Sequence, residues 1–149
     1  MTEILFYHLE TQPLDRVLPV LVEKSLERGW KVVVETGSDE RAEAIDGLLW
    51  TYRDDSFLPH ARAGGSEDAS QPVLITTRPH NPNGAHVRFF VDRAVPQSGE
   101  GYQRIVFMFS GHDPDAVTDA RAAWRALKDG NEVTYWQQEP TGRWAKKAG

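Results

Sequence analysis

Two clusters in this sequence carry the residue types of hydrolytic chemistry. Asp54 and Asp55 are adjacent carboxylates with His60 shortly after them, and the run FSGHD brings Ser110, His112 and Asp113 together. A carboxylate pair can share acid and base roles, and Ser, His and Asp can form a nucleophilic triad. Neither spacing suits that work. Paired carboxylates act when they converge from fixed elements, whereas neighbours on a loop diverge, so Asp54 and Asp55 read as turn formers. A nucleophilic serine sits on a G-x-S-x-G elbow, and FSGHD lacks the first glycine. Asp113 reads better as a helix cap, with Ser110 ending a strand.

The five histidines are His8, His60, His80, His86 and His112, and none forms an H-E-x-x-H or H-x-H pair. His80 and His86 share a loop with no carboxylate between them, which favours ordinary loop histidines over a metal site. His8 reads as a hydrogen-bonded residue of the core or sheet edge. Nucleotide chemistry finds little support either. The turn after the first strand is LETQPLD, with no glycine, and the next is TGSDER, with one. A dinucleotide fingerprint needs G-x-G-x-x-G there, and no G-x-x-x-x-G-K-[ST] occurs.

A different pattern stands out in PDAVTDARAAWRALKDG. Its first half is acidic, with Asp113, Asp115 and Asp119, and its second half holds Arg121, Arg125 and Lys128 around Trp124. On a helix those four share one face or adjoining faces. Cations there complement the helix dipole, and Trp124 could simply be core. Equally, the cations could grip a carboxylate-rich peptide while the aromatic supports an apolar side chain. The stretch LWTYRDDSFLPH poses a similar choice. Trp50 and Phe57, with Pro59, are either core residues or the edge of a docking surface.

The elements that must position these residues follow from apolar spacing. EILFYHL (3–9) reads as a buried strand, and Asp15–Arg28 as a helix closed by Gly29. KVVVET (31–36) is a strand, and Ser38 caps a helix from Asp39 to about Trp50. Residues 62–70 form a surface loop, PVLITT (72–77) is a strand, and 78–86 is a turn region. VRFFVD (87–92) and RIVFMFS (104–110) are strands, Asp113 caps a helix to Lys128, and EVTYWQQ (132–138) is the last strand. Residues 140–149 read as a flexible basic tail apart from Trp144. Strands alternating with helices, several of them continuous apolar runs, predict an α/β sandwich with a mainly parallel sheet.

The chain has 149 residues, so one domain spanning 1–149 is expected. Lys and Arg number 17 against 22 Asp and Glu, a net charge of −5, which disfavours a broad nucleic-acid surface. The absence of cysteine excludes disulfides, thiolate metal sites and a Cys nucleophile. The N-terminal MTEILFYHLE lacks a basic segment before its short apolar run, and no window is apolar enough to span a membrane, so a soluble cytoplasmic protein is expected.

Taken together, FYHLE, LLWTYRDDSFLPH, QPVLIT, ARAAWRALKDG and TYWQQ resemble the chi subunit family of bacterial DNA polymerase III holoenzyme, over nearly the whole chain. The resemblance implies a Rossmann-like three-layer α/β/α sandwich without a nucleotide-binding fingerprint. It also implies a non-catalytic adaptor of the clamp-loader complex, with no cofactor. One face would bind the acidic C-terminal tail of single-stranded DNA-binding protein. The other would dock on the psi subunit, on another clamp-loader subunit or on a helicase related to DNA repair. Carried onto this chain, the tail-binding positions are Arg121, Trp124, Arg125 and Lys128, and the partner-docking positions are Trp50, Phe57 and Pro59. Arg125 stands where the family often has lysine, which keeps the charge and alters the hydrogen-bond geometry. Charge pairing predicts salt-sensitive binding of about micromolar affinity.

Two other classes compete. A small α/β hydrolase or nucleotide-dependent enzyme would need a working pocket at one of the two clusters above. A direct single-strand binder would need a long basic groove with stacking aromatics, rather than one compact basic patch beside Trp124.

Overall fold

The computed structural model describes residues 2–51, 59–98 and 101–148. Strand β1 (Glu3–Leu9) leads into helix α1 (Leu14–Glu27), β2 (Val32–Glu35) and α2 (Asp39–Thr51). Then come β3 (Ala61–Arg62), β4 (Val73–Thr76), β5 (Val87–Phe90) and β6 (Arg104–Ser110). Helix α3 (Pro114–Leu127) and the hairpin of β7 (Glu132–Gln138) and β8 (Trp144–Ala148) complete the order. The strands form one eight-stranded sheet in the order β3-β4-β2-β5-β6-β1-β7-β8. Every neighbouring pair is parallel except β7 with β8, which gives the expected α/β fold with a mainly parallel sheet. Among the described residues no helix is long and apolar enough to cross a membrane.

Successive side chains on a strand point to opposite faces, and β6 shows the consequence. Val106 and Met108 join the core beneath α1 and α2, with Leu18, Val22, Ile45 and Leu49. Ile105, Phe107 and Phe109 join a second core beneath α3, with Ala116, Ala120, Ala123 and Leu127. The alanine-rich stripe of α3 lets that helix lie close to a face crowded with phenylalanines. Because both faces carry helices, β4 and β5 are buried along their whole length. Arg88 on β5 is also buried, a position that requires full pairing. It donates to the Glu35 carboxylate, to the carbonyls of Arg78 and His80 and to the Tyr102 hydroxyl, which fastens the 78–86 turn region to the sheet.

Two segments differ from the sequence expectation by more than a residue or two at their ends. Residues 144–148 form β8 rather than a frayed tail. Trp144 packs edge-on against Tyr7 at 5.0 Å and anchors the strand, while its lysines sit on the sheet edge, where charge discourages further pairing. The 62–70 loop contains the end of β3 and a single 3-10 turn, Asp68–Ser70, and is pinned where the Asp68 carboxylate accepts from the amides of Gly64 and Gly65.

The topology also creates a crevice. From β1 the chain crosses to β2 on one side, and from neighbouring β6 it crosses to β7 on the other. Where connections diverge in this way, the carboxyl ends of the strands enclose a cleft.

Candidate functional site

Helix α3 is built as the sequence suggests. The Asp113 side chain accepts from the amides of Asp115 and Ala116, and Pro114 occupies the first turn. The Ala116 amide, then that of Asp115 and the Arg93 guanidinium, hold the Asp113 carboxyl below its usual range. At the far end Lys128 closes the helix, and Gly130, at φ +87°, turns the chain toward β7.

Trp124 is partly buried, with its ring edge-on to Phe6 at 5.3 Å and to Tyr135 at 5.9 Å. Arg121, Arg125 and Lys128 are exposed. Among the described residues none of the three has an ion pair. The Arg121 charge is felt at Tyr135 and His8. Burial raises the Tyr135 pKa and Arg121 offsets part of that rise. Burial also lowers the His8 pKa, and Arg121 adds to the lowering while Glu10 opposes it. The four sequence-predicted positions thus share one rim, with an aromatic base and free cations around it.

The second predicted surface lies on the opposite face of the sheet. Leu49 is buried in the core beneath α2, and Trp50, the next residue, is 49% exposed. Its ring rests on His60 at 4.4 Å. His60 is buried, with Nε2 placed 3.0 Å from the Asp46 carboxylate and 3.1 Å from the Asp46 carbonyl. This anchors the far end of the stretch to α2 beside the exposed Pro59. Phe57, Asp54 and Asp55 lie outside the described residues.

The structure does not assemble a triad from FSGHD. Ser110 Oγ accepts from the His112 amide, the His112 ring meets the Glu10 carbonyl at 2.7 Å, and Asp113 caps its helix. These residues instead line a crevice of about 590 Å³ at the carboxyl ends of β1 and β6. Its charges are mostly acidic: Glu10, Asp15, Asp92, Asp113 and Asp119 against Arg93. Arg93 pairs with Asp113 at 3.2 Å and Asp119 at 2.8 Å, and Arg41 reaches Asp92 at 3.1 Å. A phosphate-bearing ligand would meet uncompensated carboxylates there.

The glycine in FSGHD has a steric role that its motif context hid. A Cβ on Gly111 would overlap His8 Nε2 and the Glu10 carboxylate. His8 itself bonds Tyr135 Oη at 2.6 Å through Nδ1 and lies 2.8 Å from Glu10 Oε1 through Nε2. His86 Nδ1 accepts from the Lys31 amide, a structural role apart from His80. Among the described residues no group of three or more His, Asp or Glu is placed to hold a metal.

Sequence reasoning missed Gln138. It is buried, and its Oε1 accepts from the amides of Thr11 at 2.9 Å and Gln12 at 2.8 Å, which ties the β1–α1 loop to the hairpin. A polar residue ending an otherwise half-buried strand was the available signal.

Comparison with known proteins identifies the family. Residues 1–134 match the family model described as DNA polymerase III chi subunit, HolC. A probable DNA polymerase III subunit chi from Rickettsia prowazekii (strain Madrid E) is 31% identical, across 99% of this chain and 93% of that protein. DNA polymerase III subunit chi from Pseudomonas aeruginosa is 32% identical over 78 residues, half of this chain and 54% of that protein. With the family model spanning most of the sequence, the chain belongs to the DNA polymerase III chi subunit family, accessory subunits of the replicative polymerase.

Proposed function

We propose that this protein is a non-catalytic adaptor that binds the acidic C-terminal tail of single-stranded DNA-binding protein and links it to psi, another clamp-loader subunit or a helicase. The observation that carries this reading is the rim of α3. Arg121, Arg125 and Lys128 stand exposed and without ion pairs among the described residues, beside a Trp124 seated on Phe6 and Tyr135, in a protein of net charge −5. Unpaired cations next to an aromatic floor suit a short peptide with carboxylates and an apolar end. The partner surface is Trp50 with Pro59, and Phe57 from the same stretch. Helix α2, which carries Trp50, lies across the sheet from α3, so both occupants can be held at once.

The test is a titration of a fluorescent peptide matching the last ten or so residues of the same organism's single-stranded DNA-binding protein. Wild type should bind saturably, and Arg125→Ala should weaken binding by roughly tenfold, as should added salt. Trp50→Ala should keep the tail and lose the clamp-loader partner in co-purification. Absence of tail binding at low salt and high protein concentration would overturn the tail assignment.

A further inference from the structure

A second groove lies on the other face of the sheet from the α3 rim, between α1 and the β7–β8 hairpin. It encloses about 360 Å³, with Tyr7, Trp136 and Trp144 as its floor and Arg16, Val20 and Lys24 along the helix wall. Those three helix positions recur every fourth residue and form one exposed ridge. Val20 is 42% exposed and, with Trp50, is one of two exposed large hydrophobics among the described residues. A third cation flanks the floor. Tyr7 pairs with Trp136 across β1–β7, and Trp136 with Lys146 across β7–β8, so all three project to the same face.

The electrostatics are one-sided. Among the described residues no carboxylate lines the groove, and Arg16, Lys24 and Lys146 have no ion pair. That is unusual in a protein with 22 acidic residues against 17 basic ones. Trp136, Trp144 and Lys146 also lie beyond the residues matched by the family model, which end at 134.

We propose that this groove binds an acidic, extended peptide segment in which carboxylates flank one central, bulky apolar side chain. The order of groups dictates the pattern. Arg16 and Lys24 lie on either side of Val20, so the charged contacts fall before and after the apolar one. Eight helical residues rise about 12 Å, which about four extended residues span. Methyl groups and indole faces accept the apolar side chain, and the three cations neutralise the carboxylates. A nucleic-acid strand fits less well, because the patch is too short to track a strand's backbone. The site is distinct from the α3 rim in elements and in face, and the proposal stands without the tail assignment.

The probe is a fluorescein-labelled, amidated peptide of two aspartates, phenylalanine and two aspartates, followed by anisotropy with the full-length protein. Wild type should bind it saturably, and Arg16→Glu with Lys24→Glu should weaken binding by roughly tenfold or more. Val20→Asp, a single exposed change, should do the same and guards against misfolding of the double variant. The same α1 changes in an Arg121→Glu, Arg125→Glu background, where the α3 rim no longer attracts the probe, should abolish the binding that remains. The proposal is overturned by no binding to wild type, by unaltered binding to the α1 variants, or by loss only in the α3 variant. It is also overturned if the α1 reversals abolish binding of an oligothymidine but not of the peptide, or if they convert a dimer to a monomer in sedimentation. Those results would assign the groove to nucleic acid or to a second copy of the chain.

Discussion

The crevice at the carboxyl ends of β1 and β6 and the outer rim of α3 are opposites. The crevice is large and net acidic, and the cations at it are already paired: Arg93 with Asp113 and Asp119, and Arg41 with Asp92. The rim is a convex helix surface whose cations have no ion pairs among the described residues and surround a half-covered aromatic. In many α/β proteins the cleft where strand connections diverge holds the ligand. Here the cleft's cations are paired with its own carboxylates, and the unpaired positive charge lies on the surface of a helix. On the proposed reading, unsatisfied charge beside apolar surface, rather than enclosed volume, marks where this protein meets its partner.

Changes on the crevice side should alter stability and spare peptide binding. The largest effect is expected for Gly111→Ala, which drives a methyl group into His8 and Glu10 and should cost about 2–3 kcal/mol in urea unfolding. The folded fraction should still bind the tail peptide with wild-type affinity. A smaller effect comes from His8. Burial holds its folded pKa below the ordinary 6.5, so the unfolded chain binds more protons as pH falls. The His8 contribution is therefore complete above 6.5 and is lost as pH drops from there through the folded pKa. His8→Gln should flatten the dependence of the urea midpoint on pH in that window. The smallest effect on binding is expected for Arg93→Ala. It frees two carboxylates and should lower the melting temperature slightly, while leaving the tail affinity unchanged.

Much of the scaffold was legible in the residues. EILFYHL, RIVFMFS and EVTYWQQ became β1, β6 and β7 with the expected ends, because each is a sustained apolar or β-branched run between clear breaks. Asp113 and Ser38 cap their helices for the reason their side chains suggested. β8 was not legible, since a segment of two adjacent lysines between alanines has the composition of a solvated tail until Trp144 meets Tyr7. The same long-range contact explains why the α1 groove was hidden. Its walls come from opposite ends of the chain, and neither wall carries a motif of its own. Gly111 was visible only as a missing elbow, whereas its role depends on a histidine from β1.

The most direct test of the account is to map the tail peptide onto the protein by amide and indole chemical-shift perturbation. The Trp124 indole and the amides of Arg121, Arg125 and Lys128 should move together and saturate with one affinity, while Arg93 and His112 at the crevice stay in place. Perturbations centred on Arg93, His112 and the β1–α1 loop, with Trp124 unmoved, would contradict it and return the crevice to the position of binding site.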